Sequence, residues 1–81
     1  MTTFTFPNGD TAETPNPKYF AAWRLVYPNG RISAGNGCGA KVAFSGTATN
    51  ALKAGGALRG FEKRGQKANG GAPIIEVATA N

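Results

Sequence analysis

Apolar and polar positions alternate most clearly in "AAWRLVY" (21–27) and "RISAG" (31–35), on either side of Asn29-Gly30. Strand composition flanking Asn-Gly predicts a β-hairpin, because these two residues tolerate the backbone angles of a tight turn. Two registers are open. A two-residue turn at Asn29-Gly30 sets Tyr27 opposite Ile32 and gathers Trp23, Leu25, Tyr27, Ile32 and Ala34 on one apolar face, with Arg24, Val26, Arg31 and Ser33 on the other. A type I turn through Pro28 and Asn29, with Gly30 as a bulge, moves Ile32 to the side of Val26. The first makes the cleaner core and is preferred.

The tetrad "YPNG" has a forerunner in "FPNGD" near the start of the chain. Its frame, "TFTFPNGDTAE", is shorter and more polar, and the prolines of "TPNPK" interrupt any ladder that follows. An edge hairpin or a loosely docked strand is expected over 1–18. Two copies of a turn do not make a repeat protein, which needs at least three stacked units.

Further along, "GNGCGAKVAF" runs from glycine-rich chain into a short alternating segment, predicting a strand at about 40–44 with Val42 and Phe44 facing the core. The pattern then changes period. In "SGTATNALKAGGALRGFEKRGQ", Ala51, Ala54, Leu58 and Phe61 recur at helical spacing, with Ser45, Thr47 or Thr49 as the cap and Gly65 as the stop. Gly55, Gly56 and Gly60 each cost this helix roughly 1 kcal/mol relative to Ala. Packing must therefore hold it, and small residues would let its backbone sit close to the sheet; a break near Gly55-Gly56 is the competing reading. "APIIEVA" reads as a closing strand, apolar enough to be central or near-central. The sum is one α+β domain over 1–81, a mainly antiparallel sheet of about four strands with one helix packed on one face. Residues 19–78 form its core, and 1–18 are partly loose.

Composition narrows what such a domain does. At 81 residues the chain buries only about 60% of its unfolded surface. Its net charge of +5 resides entirely in residues 31–81, where seven Lys or Arg face Glu62 and Glu76. A field polarised in this way favours nucleic acid, a nucleoprotein or an acidic protein surface. The lone Cys38 forms no internal disulfide, "MTTFTFPNGD" lacks the features of a signal peptide, and no apolar run approaches the ~18 residues of a membrane span. A cytoplasmic protein without a membrane partner is expected, in a bacterial host cell if phage-encoded.

The sequence contains no His, which removes the commonest general base and most zinc or haem ligation. Its carboxylates are scattered, disfavouring paired-carboxylate hydrolysis. "GNGCGAK" fails the phosphate-loop spacing, since Ala40 precedes the lysine and Val42 follows it. Cys38 has no His to raise its thiolate fraction, and an ordinary small thiol is the expectation. No catalytic residue, cofactor or metal is expected.

The helix carries the charge pattern. At roughly 100° per residue, Lys53, Arg59, Lys63 and Arg64 fall opposite the apolar stripe, joined by Lys67 if the helix outlasts Gly65. These residues are the expected contacts to phosphate or to an acidic surface, with Arg24 and Arg31 of the hairpin as a second basic surface.

"WRLVYPNGRISA", "SGTATNALKA" and "APIIEV", over about residues 19–78, resemble the YegP-type repeat, a module of hairpin, strand, helix and closing strand. The resemblance implies that topology and carries no catalytic residues with it. The hairpin is also similar to the sheet that N-terminal modules of phage integrases lay into the major groove, which would imply direct DNA or RNA binding. In size and composition the chain looks like the anti-CRISPR proteins. That analogy implies a stoichiometric, non-enzymatic inhibitor or modulator of a nucleic-acid-handling complex, and it is the leading expectation. A structural or virion accessory protein is the remaining alternative.

Overall fold

A computed structural model describes residues 1–34, 41–61 and 63–80. Strands β1 (Thr2–Thr5) and β2 (Thr11–Thr14) pair antiparallel in the first hairpin. Strand β3 (Ala21–Val26) turns into β4 (Ile32–Ser33), and β5 (Ala43–Ser45) follows. Helices α1 (Ala48–Phe61) and α2 (Lys63–Ala68) lead to β6 (Ile74–Thr79). The architecture is α+β as expected, and every strand pairing is antiparallel.

Strand β3 is the centre of the larger sheet. β4 and β5 share one of its edges end to end, and β6 pairs with the other along its whole length. The closing strand is therefore an edge strand, which corrects its expected central place. Its apolar composition reflects burial between two layers rather than pairing on two sides. One layer is α1, packed over Ala21, Trp23, Leu25, Ile75 and Val77. The other is the N-terminal hairpin, which joins the end of β6 through a Phe4–Ala80 bridge and covers Ala22 and Ala78 with Phe4 and Phe6. That hairpin is held rather than loose: Phe4 and Phe6 are buried, and Phe4 meets Phe44 at a ring-centroid distance of 5.5 Å.

Both Pro-Asn-Gly turns have one geometry. Gly9 N–H donates to the Phe6 carbonyl (2.9 Å) and Phe6 N–H to that of Asp10 (2.8 Å), as Gly30 does to Tyr27 (2.8 Å) and Tyr27 to Arg31 (2.8 Å). Gly9 (φ 94°) and Gly30 (φ 89°) take the left-handed angle, and no non-glycine residue described has a positive φ. This is a type I turn closed by a glycine bulge. The preferred register is thereby overturned: Ile32 pairs with Val26 and Ser33 with Leu25. Proline's fixed φ suits the first central position of a type I turn, whereas a two-residue turn of the mirror type needs a positive φ at Asn29.

The helix is continuous through Gly55-Gly56. Thr47 caps it, its Oγ1 accepting from Asn50 N–H at 3.1 Å. Helical structure also passes Gly65 and ends beyond Ala68, where Gly70 is left-handed and Gly71 N–H returns to the Gln66 carbonyl (2.7 Å), a Schellman stop. The buried stripe is shifted from the expected one. Ala51 and Gly55 are buried, Ala48 and Leu58 half-buried, and Ala54 and Phe61 exposed, Phe61 at 86%. Gly55 is the reason. A Cβ there would stand 3.0 Å from Ile75 Cγ2 and 3.4 Å from Trp23 Cε3, so the backbone itself is the packing surface, and the stripe rotates to bring it down.

Candidate binding surfaces

Of the expected contact residues, Arg24 is the one that folding removes from the surface. Its side chain is 6% exposed and sits beneath the first turn. Nε donates to Glu76 Oε1 (2.7 Å), one terminal nitrogen to Asp10 Oδ2 (3.0 Å) and the other to Asn8 Oδ1 (3.0 Å). The guanidinium carbon lies 4.2 Å from the centroid of the Phe6 ring. This corrects its assignment to an outer basic surface. The hairpin face expected to be solvated is instead the floor under β1 and β2, and a buried cation is tolerated there because each of its nitrogens has an acceptor.

The partners of Arg24 were not singled out in the sequence, although a signal exists. Arg24 and Glu76 are each the sole charge in an apolar strand, and the register sets them directly opposite one another. Asp10 is half-exposed and titrates lower than an ordinary carboxyl. The Asn8 amide hydrogen bond is the larger cause, followed by that from Arg24, against a smaller opposing effect of burial.

Lys53, Arg59, Lys63, Arg64 and Lys67 are all exposed on the helices. Among the described residues none has a carboxylate partner, the ion pairs found being the two on Arg24. Gly56 and Gly60 lie among them with open space where a side chain would project. Arg31 is likewise exposed, on the second turn. Charge is thus segregated by layer. Outside the helices Asp10, Glu13 and Glu76 nearly balance Lys18, Arg24, Arg31 and Lys41, whereas residues 48–68 carry five cations against Glu62 alone. Gln66 donates its side-chain amide to the Arg59 carbonyl (3.1 Å) on this surface.

An open hollow of about 500 Å³ lies between the first hairpin and the sheet. Two of the charges that reach it, Arg24 and Asp10, are bound to each other, leaving Lys41 as the cation at its exposed side. No group of three or more His, Cys, Asp or Glu is placed to hold a metal among the described residues, and no helix among them is long and apolar enough to cross a membrane. Cys38 and the glycine-rich passage around it lie outside the described residues.

The fold and site together define a small α+β domain with a segregated positive surface. The chain matches no family model, no curated protein and no solved structure.

Proposed function

We propose that this is a non-catalytic binding protein that acts stoichiometrically on a nucleic-acid-handling complex, docking through the outer surface of α1 and α2 in the manner of an anti-CRISPR protein. The observation that carries the reading is the exposed set Lys53, Arg59, Lys63 and Arg64, unpaired with any described carboxylate. Cations concentrated on one layer, without a described carboxylate partner, raise the local potential and favour encounter with an anionic surface. Each is exposed before binding, so each is free to form charge-assisted contacts on association.

The test is affinity capture from nuclease-treated bacterial lysate, comparing the protein with a variant carrying Lys53→Glu, Arg59→Glu, Lys63→Glu and Arg64→Glu. The reading expects components of a nucleic-acid-handling complex with the first and their loss with the second. Capture indifferent to charge reversal overturns it.

The open glycines among the cations favour a second reading, direct binding of a DNA or RNA backbone, because a bare helix surface lets phosphates approach closely. Phosphate contacts predict affinity for a labelled duplex or single strand that falls steeply with salt, with a logarithmic slope of about −0.9 per duplex phosphate neutralised. Absence of binding at low salt removes this alternative.

A further inference from the structure

Strand β6 has one edge on β3 and one edge in the open. The phase of the ladder says which peptide groups belong to each. Ala80 N–H donates to the Phe20 carbonyl (2.9 Å) and Tyr27 N–H to the Arg31 carbonyl (2.8 Å). Even-numbered β3 residues therefore turn their peptide groups toward β6, and odd-numbered ones turn theirs away. With Ala22 opposite Ala78, Arg24 opposite Glu76 and Val26 opposite Ile74, the groups of Ile74, Glu76 and Ala78 point at β3. Those of Ile75 and Val77 point outward. The described bridge between the first hairpin and the end of β6 lies beyond this stretch, at Phe4–Ala80, so the N–H and C=O groups of Ile75 and Val77 have no strand partner among the described residues.

Exposed edges of natural sheets are ordinarily blunted by lysine, proline or a bulge. Between Ile74 and Thr79 there is neither lysine nor proline, and the one charge, Glu76, turns inward to Arg24. Above this edge runs a flank of α1. Gly55 touches Ile75 of β6, and Leu52 and Arg59, three before and four after it, share its side of the helix. Lys63, exposed at the start of α2, is the next described cation along the chain. Leu52 is 53% exposed, and Ile74, on the other face of β6, is 62% exposed.

We propose that this edge takes an extended acidic segment of a protein partner as an added strand. Main-chain hydrogen bonds to Ile75 and Val77 would supply the pairing, as in other cases of strand addition. Side chains of the added strand opposite Ile75 and Val77 face the helix flank and its cations, so carboxylates are favoured there. Those opposite Ile74 meet an apolar row that continues through Val26 and Ile32. Alternating acidic and β-branched residues fit both faces. The inference does not rest on docking of the outer helix surface, whose Lys53 and Arg64 it leaves unused.

The experiment is residue-resolved amide hydrogen exchange with and without a short soluble peptide of alternating valine and glutamate. In the free protein the Glu76 and Ala78 amides are expected to exchange slowly and those of Ile75 and Val77 fast. With the peptide, Ile75 and Val77 become protected. A peptide of alternating valine and lysine should give no protection, and Arg59→Glu with Lys63→Glu should weaken the acidic peptide by about tenfold or more. Val77→Pro removes an outward donor without touching the β3 ladder, a position where proline is tolerated. It should abolish binding while circular dichroism stays native. If that variant unfolds, the exchange pattern and the charge-reversed pair decide.

Protection of Ile75 and Val77 in the free protein that grows with protein concentration would assign the edge to a second copy and overturn the proposal. Equal binding of the lysine peptide, or no protection by the glutamate peptide, would overturn it as well. Arg59 and Lys63 are common to both readings, and Lys53→Glu with Arg64→Glu separates them: that pair should weaken capture of a complex through the outer helix surface and leave protection of Ile75 and Val77 by the glutamate peptide unchanged.

Discussion

The two Pro-Asn-Gly turns share a backbone and differ in what their last side chain does. In each, the asparagine Oδ1 accepts the N–H two residues on, from Asp10 or from Arg31, at 3.0 Å. At the first turn that residue is Asp10, which folds down with Asn8 onto Arg24 and fastens a whole layer. At the second it is Arg31, which stays in solvent, while Asn29 donates to Asn69 Oδ1 (2.9 Å) and ties the turn to the end of α2. A tetrad that is only turn chemistry at the backbone level becomes a clamp or a tether according to the side chains beside it.

The largest break in this symmetry comes from Arg24→Ala. Removing the cation leaves Glu76 largely buried and unpaired, and takes away the contact on which Asn8, Asp10 and Phe6 converge. A loss of about 3 kcal/mol is expected from urea unfolding, in the range for breaking one partner out of a buried pair. For a domain this small that is a large share of the total. Arg31→Ala, at a surface position without such partners, should stay within about 0.5 kcal/mol. Equal effects would mean that the first turn clamps nothing.

Periodicity made the hairpin, the helix and the closing strand legible in the sequence, because each depends on local spacing. What stayed hidden depended on packing at a distance. The direction in which Arg24 faces is set by β1 and β2 covering that side of the sheet, which their short, polar frame does not announce. The register turned on Pro28, whose fixed angle outweighed the tidier apolar face offered by Tyr27 opposite Ile32. On the helix, counting apolar side chains selected Ala54 and Phe61, whereas the residue pressed against Trp23 and Ile75 is Gly55, which has no side chain to count. The exposed cations were foreseen because lysine and arginine on a helix flank obey solvation alone.

The helix glycines sharpen the contrast between covered and open surfaces. Gly55→Ala improves helix propensity by roughly 1 kcal/mol, yet its Cβ meets Ile75 Cγ2 at 3.0 Å. That methyl is held on a branched side chain in a paired strand, so the strand itself must give. Overpacking of this kind costs about 1–3 kcal/mol, and a net destabilisation of about 1 kcal/mol is expected in thermal unfolding. Gly56→Ala meets open space and should stabilise by about 0.5–1 kcal/mol. Opposite signs at adjacent glycines are the outcome expected. Stabilisation by both would show that α1 rides higher above the sheet than the contact at Gly55 implies.

The smallest effect is the pH dependence that separates the turns. Asp10 is depressed from the ordinary value of 3.8 by the Asn8 and Arg24 hydrogen bonds. With the folded value below the unfolded one, its contribution is fully present above the unfolded value and is lost as pH falls through the depressed one. The stability difference between the protein and Asp10→Asn should therefore be flat near neutral pH and close only under strong acid. Arg31→Asp places a carboxyl at the matching position of the second turn. There the Asn29 side-chain amide is drawn toward Asn69 by one of its two N–H donors and Arg24 lies beneath the other turn, so the hydrogen bond from a guanidinium that helps depress Asp10 is not on offer. A carboxyl-carbon NMR titration of that variant should find the new group titrating above Asp10. Coincident midpoints would place the cause in the shared backbone of the turn rather than in the partners that distinguish the two.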